Sequence, residues 1–344
     1  MCYHLESRSS LKIAIFRDFH QFQEEKMIDI QYLLFLQNLR EMTGGIFDEI
    51  FNGFSKMGID VIYFFPFVIY WAVDKEWGKR FIALMHGSEF VNSLLKLTVC
   101  AYRPWIRSDL IQPAGDSKVA ATGYSFPSGH TNRATAIFGE TAFWQYKKRR
   151  WLAILCAVGI LLIGFSRNFL GVHTPQDVIV GFSVSLIMIF VVEKFMKLTA
   201  GNVKRADILT FAGFTLIALA IVYIKFKPYP MDYVDGKLLV NPQTMMNDFF
   251  KVCGSLTGLF VSLYLDRHFI HYKIPVGHKN LPMLTAVGIG IYFSWKNYFA
   301  APIIVAIFGR HAGNFIAYFI GIFFALVIFP IMITKFTKEE PQEA

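Results

Sequence analysis

The chain is short of charged residues and of cysteine. Only 17% of its 344 residues are charged, whereas a typical soluble domain carries about a quarter. The four cysteines form no CxxC pair, which argues against a disulfide framework or a cysteine zinc site. Hydrophobic residues instead make up 54% of the chain, and phenylalanine alone supplies 36 of them. This balance excludes a disordered or collagen-like protein and predicts a multi-pass membrane protein.

Nine segments are apolar enough to cross a bilayer, which takes roughly 20 residues of helix. The predicted fold class is therefore an all-α transmembrane bundle of about nine spans. The eighth span is the weakest, because Lys296 interrupts it. The predicted spans cover 57–74, 80–102, 130–146, 150–167, 176–196, 206–225, 246–265, 281–296 and 312–334.

The N-terminal segment, residues 1–56, has a different pattern. Between positions 28 and 54 it mixes apolar side chains with charges, which suits one or two helices lying in the membrane interface. A soluble helical hairpin is the alternative that this pattern leaves open.

The Lys and Arg residues behind the net charge of +9 lie mostly in the loops between the predicted spans. Apart from the N-terminal segment and the motif residues below, one set of loops carries sixteen Lys and Arg residues and the opposite set seven. Basic residues collect in cytoplasmic loops, so the first set and the C-terminus are predicted to be cytoplasmic and the N-terminus exoplasmic. The loops at 103–130 and 167–176 then emerge outside. Because such loops are normally basic in membrane proteins, the positive net charge does not indicate a nucleic-acid partner, and none is predicted.

Three ionisable residues of the second span share one helix face. Glu89, Lys96 and Arg103 are spaced by seven residues, which is nearly two full turns. Pro104 disfavours helix at Arg103, so Lys96 lies inside the helix and Arg103 at its outer rim. Ionisable groups inside membrane spans are costly and usually functional, although Glu89 could simply pair with a neighbour.

The third span opens with Pro127, Ser128, Gly129 and His130. Free backbone N–H groups and the helix dipole favour an anion at such a helix start, and His130 lies beside it. Arg133 follows one turn later and is interpreted as a snorkelling charge rather than a supporting residue.

A second histidine precedes the fifth span. The fourth span ends at Ser166 and Arg167, and His173 follows on the same membrane face. Thr174 is predicted to cap the next helix, which places Asp177 close to the His173 ring. A carboxylate near an imidazole fixes its tautomer and raises its basicity.

Together these residues suit phosphate chemistry. Arg and Lys side chains clamp a tetrahedral anion, and backbone N–H groups complete its cradle. One imidazole can attack phosphorus while another protonates the leaving oxygen. The cations neutralise the developing charge, so neither a metal nor a cofactor is expected. The sequence has no Walker loop and no HExxH pattern.

The three blocks resemble the signature of the type 2 phosphatidic acid phosphatase superfamily, which also includes glucose-6-phosphatases and vanadium haloperoxidases. All eleven fixed positions of that signature agree, in order and with intact spacings. The matches are Lys96 to Pro104 for KxxxxxxRP, Pro127 to His130 for PSGH, and Ser166 to Asp177 for SRxxxxxHxxxD.

The resemblance implies a division of the chain and a role for each motif residue. It covers residues 57–225 as a six-helix phosphatase core and leaves 226–344 as a three-span C-terminal extension. His173 would be the nucleophile that forms a phosphohistidine, Asp177 would orient it, and His130 would be the general acid and then the base. The phosphate-binding residues would be Lys96, Arg103, Ser128, Gly129 and Arg167.

The leading prediction is a metal-independent phosphatase that acts on a lipid phosphate monoester or diphosphate at the outer leaflet. A phosphotransferase using the same phosphohistidine and a transporter with a vestigial site are the open alternatives. A haloperoxidase is disfavoured, because those relatives are soluble. The chain has no N-x-[ST] sequon, which favours a prokaryotic plasma membrane. The pattern identifies neither the substrate nor the oligomeric state.

Overall fold

The computed structural model describes residues 27–57, 64–234, 236–295 and 303–337. Most of these residues are helical, which confirms the all-α class. The helices in chain order are α1 Ile28–Met42, α2 Ile46–Met57, α3 Phe65–Val68, α4 Lys75–Val99, α5 Pro104–Arg107, α6 Ser117–Ala120, α7 Gly129–Gln145, α8 Arg150–Phe169, α9 Pro175–Thr199, α10 Val203–Phe226, α11 Pro242–Leu265, α12 Leu281–Ser294, α13 Val305–Phe308, α14 Arg310–Phe323 and α15 Phe329–Phe336.

Short elements complete the described part of the chain. Two strands, β1 Tyr233–Val234 and β2 Lys237–Leu238, form an antiparallel hairpin in the loop between α10 and α11. Three π-helical turns interrupt or extend helices: Ile69–Val73 after α3, Asp266–Ile270 after α11, and Phe324–Ile328 between α14 and α15.

Five helical stretches of the described residues are long and apolar enough to cross a membrane. They are α8, α9, α10, Pro242–Ile270 and Arg310–Phe336, and α12 is a shorter apolar helix. The multi-pass helical bundle is therefore confirmed. The number of nine spans, the orientation and the division of the chain into three parts stay predictions. Part of the first predicted span, residues 58–63, lies outside the described residues.

Polar side chains determine where the key helices begin. Thr174 and Asp177 form a capping box: the Asp177 N–H donates to Thr174 Oγ1 at 3.4 Å, and the Thr174 N–H donates to Asp177 Oδ2 at 2.9 Å. This confirms Thr174 as the cap of α9, with Pro175 in the first turn. At the start of α4, Asp74 Oδ1 accepts from the Trp77 N–H at 3.0 Å.

Helices α7 and α9 pack against each other and against both α4 and α8, and α11 packs against both α14 and α4. The contact between α11 and α14 is close because Gly254 has no side chain; a Cβ there would lie 2.1 Å from the Phe315 carbonyl oxygen. On the other face of α11, Phe249 stacks on Phe90 of α4, with ring centroids 5.7 Å apart. The C-terminal extension is thus packed directly on the helix that carries Lys96.

Helices α1 and α2 cover the loop between α5 and α7. Ile30 and Leu33 of α1 are buried with Ile111, and Asp29 pairs with Arg107 at 2.8 Å. Many other apolar side chains of the two helices are exposed, as expected of helices that lie in a membrane interface. These exposed residues include Ile28, Phe35, Met42, Ile46, Phe47 and Ile50.

Candidate active site

His173 and Asp177 form a buried pair in the loop before α9 and in its first turn. The two side chains are almost inaccessible to solvent, and His173 Nδ1 lies 3.2 Å from Asp177 Oδ2. The Asn168 side-chain amide, at the end of α8, donates to the His173 carbonyl at 2.8 Å. The loop that presents His173 is therefore fixed to both flanking helices.

Three donors converge on one oxygen of Asp177. In addition to His173 Nδ1, the Thr174 N–H lies at 2.9 Å and the Ser125 hydroxyl at 2.5 Å from Oδ2. The carboxylate that completes the capping box of α9 is thus also the hydrogen-bond partner of His173. Because the backbone of Thr174 and the hydroxyl of Ser125 hold it, Asp177 can orient His173 without moving itself.

Arg103 fixes the other nitrogen of the ring. Its Nη1 lies 2.9 Å from His173 Nε2 and also donates to the Val172 carbonyl at 2.9 Å. An arginine can only donate, so Nε2 must be the acceptor and the ring proton must sit on Nδ1, facing Asp177. The Nε of Arg103 donates to the Gly123 carbonyl and its Nη2 to the Thr122 carbonyl, both at 3.1 Å, so four of the five N–H groups of Arg103 are used and the second proton of Nη2 can serve a ligand.

The surroundings keep the His173 ring neutral. Burial, and then the positive charge of Arg103, lower the pKa of His173 well below its usual value near 6.5, although Asp177 opposes this shift. Burial also lowers the pKa of Arg103 to about 10, which still leaves the guanidinium charged at physiological pH. A neutral imidazole whose Nε2 electron pair accepts from Arg103 therefore lies beside a fixed cation.

Lys96 lies under the loop that precedes α7. Its ammonium group donates to the carbonyls of Tyr124, Ser125 and Pro127 at 3.0, 3.1 and 2.8 Å. All three of its protons are used in these bonds. Lys96 thus holds the loop that places Ser125 and α7, a positioning contact that the sequence reasoning did not predict.

Ser128, Gly129 and His130 begin α7 as the motif predicts. The Ser128 side chain caps the helix by accepting from the Thr131 N–H at 3.4 Å. The Ser128 N–H donates to the Asp177 carbonyl at 2.9 Å, which joins the starts of α7 and α9. This approach requires Gly181 of α9, because a Cβ there would lie 2.5 Å from the Ser128 carbonyl oxygen.

His130, Arg167 and His173 are brought together at this junction. His130 lies within electrostatic range of both Arg167 and His173, and Arg167 is buried near the end of α8. Ser166 donates back to the Ile163 carbonyl of its own helix at 2.7 Å, which is a structural contact. Arg133 was interpreted from sequence as a snorkelling charge, but it forms an ion pair with Glu89 of α4 instead.

Three residues of the site were missed by the sequence reasoning: Ser125, Asn168 and Gly181. Ser125 stands two residues before the PSGH block, and Asn168 directly follows Arg167, so nearness to the motifs is the only signal that the sequence offered. Among the described residues, no group of three or more His, Cys, Asp and Glu side chains could hold a metal ion.

Comparison with known proteins identifies the part of the chain that holds this site. Residues 77–199 match the family described as the PAP2 superfamily. This matched region contains every motif residue named above, so the resemblance inferred from the three blocks is confirmed. The described part of the C-terminal extension lies outside the matched region.

Three curated relatives are similar to parts of this chain. Phosphatidylglycerophosphatase B of Bacillus subtilis (strain 168) is 31% identical over 129 residues, which are 35% of this chain and 59% of the relative. Lipid phosphate phosphatase delta of Arabidopsis thaliana is 21% identical over 44% of this chain and 39% of its own length. Lipid A 4'-phosphatase of Bacteroides thetaiotaomicron is 23% identical over 57% of this chain and 95% of its own length.

The chain therefore spans less than two thirds of the first two of these relatives. No solved structure matches the chain.

Proposed function

We propose that this protein is a membrane phosphatase that hydrolyses a lipid phosphate monoester or diphosphate through a phosphohistidine on His173. The observation that carries the proposal is the hydrogen bonding of the His173 ring. Arg103 at Nε2 and Asp177 at Nδ1 leave a neutral imidazole whose electron pair on Nε2 points toward a fixed cation. A phosphate oxygen that accepts from Arg103 brings its phosphorus next to that electron pair.

The first step forms a bond between Nε2 of His173 and phosphorus and breaks the bond between phosphorus and the ester oxygen. His130 gives a proton to that oxygen, so the alcohol leaves neutral. The positive charge that develops on the His173 ring is stabilised by Asp177, whose carboxylate already accepts from Nδ1.

The second step releases inorganic phosphate. His130, now neutral, takes a proton from a water molecule as the water oxygen attacks phosphorus and the bond to Nε2 breaks. Arg103 and Arg167 neutralise the phosphate oxygens, and the N–H groups at the start of α7 complete the cradle. Lys96 supports this cradle by holding the loop before α7.

The location of the site at the outer face of a membrane is supported by the distribution of basic residues in the sequence. The names of all three relatives refer to phosphatases of lipids. We therefore propose a lipid phosphate as the substrate and the outer leaflet as its source. Phosphatidic acid, phosphatidylglycerol phosphate, polyprenyl diphosphate and sphingoid-base phosphate are the candidates.

The purified protein in detergent should release inorganic phosphate from at least one of these lipids, and EDTA should leave the rate unchanged. The physical reason is that two arginines and a helix N-terminus supply the positive charge that a metal would otherwise bring. Phosphate release is measured across the four substrates with and without chelator. Activity that disappears with EDTA and returns with a divalent cation would contradict metal independence.

A further inference from the structure

A polar chamber lies between the region that matches the PAP2 superfamily and the C-terminal extension. It encloses about 260 Å³ between α4 and α7 on one side and α11 and α14 on the other. This volume lies near the lower end of the range for ligand pockets, about 300 Å³, and suits a small polar group rather than an acyl chain. We define the chamber by six lining residues, which are Glu89, Asn92, Arg133, Asp248, Lys251 and Ser255.

Four of these six residues are ionisable, and they form two ion pairs. Arg133 Nε lies 3.2 Å from Glu89 Oε1, and Lys251 Nζ lies 2.8 Å from Asp248 Oδ1. Charged side chains along helices of a membrane bundle are expensive and mark functional sites. The two pairs together have no net charge, and the ammonium group of Lys96, which also lines the chamber, is held by three backbone carbonyls. The two ion pairs suit hydroxyl groups, which both donate and accept hydrogen bonds.

Asn92 adds an unsatisfied donor to the chamber wall. The residue is 4% exposed, and its Nδ2 atom has no hydrogen-bond partner among the described residues. Buried amides are normally hydrogen-bonded, so a buried one that lines a cavity points to a bound partner. Ser255 of α11 is also buried and lines the same chamber.

The chamber adjoins the candidate active site. Gly129, at the start of α7, and Lys96 are lining residues as well as members of the sequence motifs. On α4, Glu89, Asn92 and Lys96 recur at intervals of three and four, so the chamber runs along one face of that helix. If the phosphate of a substrate binds at the N-terminus of α7, the alcohol esterified to that phosphate would lie within reach of the chamber face of α4.

We propose that the chamber is the subsite for the alcohol that carries the phosphate, and that it favours an alcohol with free hydroxyl groups. This inference rests on the proposed phosphatase function and adds a substrate class to it. Asn92 and Ser255 would bind hydroxyl groups of the alcohol, and the two ion pairs would serve as further donors and acceptors. Asp248, Lys251 and Ser255 belong to the extension, so the extension would contribute directly to substrate selection.

The test compares two lipid phosphates in the same mixed micelles. Phosphatidylglycerol phosphate carries its phosphate on a glycerol with a free hydroxyl, whereas the alcohol of phosphatidic acid has none. The wild type should have the larger kcat/KM for phosphatidylglycerol phosphate. Asn92→Leu and Ser255→Leu should each lower the ratio of the two values about tenfold, since each removes a hydrogen bond in a buried site. Ser262→Leu is the matched control, because Ser262 is a buried serine of the same helix as Ser255. Its hydroxyl donates to the Gly258 carbonyl at 2.7 Å, and it is not among the residues that line the chamber.

The outcomes separate this inference from the function on which it rests. If the wild type releases phosphate from neither lipid nor from the other two candidate substrates, the proposed function fails. If it hydrolyses both lipids with a ratio of one or less, the subsite proposal is overturned whatever the variants do, and the phosphatase proposal stands. The subsite is also overturned if the control and the two chamber variants shift the ratio equally, which would indicate a general effect of a larger side chain in the bundle.

Discussion

Replacement of His173 by Ala is expected to lower kcat/KM for phosphate release by at least about 10⁴-fold. The reason is that the Nε2 atom of His173, which supplies the attacking electron pair, lies beside Arg103, the residue that would hold a phosphate oxygen. Without the imidazole, water would have to attack the ester directly, with only the electrostatic cradle left to help. The loss should be in kcat rather than in KM, because Arg103 and Arg167 still bind the phosphate. Phosphate release at saturating substrate measures the effect.

Two controls make this result specific. His278→Ala removes a histidine from the loop before α12, on the side predicted to be cytoplasmic, and should leave the rate unchanged. Free imidazole should partly restore the activity of His173→Ala, because the vacated space lies against Asp177 and Arg103, which bound the original ring. Full activity in His173→Ala would contradict the assignment of the nucleophile.

Replacement of Asp177 by Asn is expected to lower kcat by about 10³- to 10⁴-fold while the fold is kept. Three donors point at the Asp177 carboxylate, from Thr174, Ser125 and His173. An asparagine has no negative charge to stabilise the His173 ring as it becomes positive, and an amide NH2 group turned toward Nδ1 would favour an acceptor there. The ring proton would then move to Nε2 and block the electron pair that attacks phosphorus.

The Asp177 result is measured by phosphate release together with the thermal unfolding midpoint in detergent. Asp116→Asn, at an exposed loop position, is the control and should change neither quantity. The Thr174 cap is kept, and an asparagine oxygen at position 177 can still accept from the Thr174 N–H, so the unfolding midpoint of Asp177→Asn should shift only by a few degrees. A variant that unfolds early but keeps its specific activity would assign Asp177 a purely structural role.

Much of the candidate site could be predicted because its parts are local. Thr174, Pro175 and Asp177 specify a helix start within four residues, and the same four residues place Asp177 against His173. The PSGH block likewise specifies the start of α7. The two helix starts come together because the Ser128 N–H bonds to the Asp177 carbonyl.

The rest depended on contacts between distant parts of the chain. The three carbonyls that bind Lys96 lie 28 to 31 residues away, so nothing near Lys96 indicated that its protons are used to hold a loop. Arg133 and Glu89 are 44 residues apart, and the chamber that contains them also needs Asp248 and Lys251 from α11. The sequence shows which predicted spans carry charged residues. Which of these residues form ion pairs with another helix follows only from the packed structure.

The most direct test of the central claim is to trap the covalent intermediate. His130→Ala should still react with an aryl phosphate, because a phenolate is a good leaving group and needs no proton from His130. Without a base for the second step, the phosphorylated enzyme should accumulate after one burst of phenolate per protein molecule. Alkaline quenching and mass spectrometry should then place the phosphate on the peptide that contains His173. A phosphate on any other residue, or steady turnover by the wild type with no trapped adduct in either protein, would contradict the account.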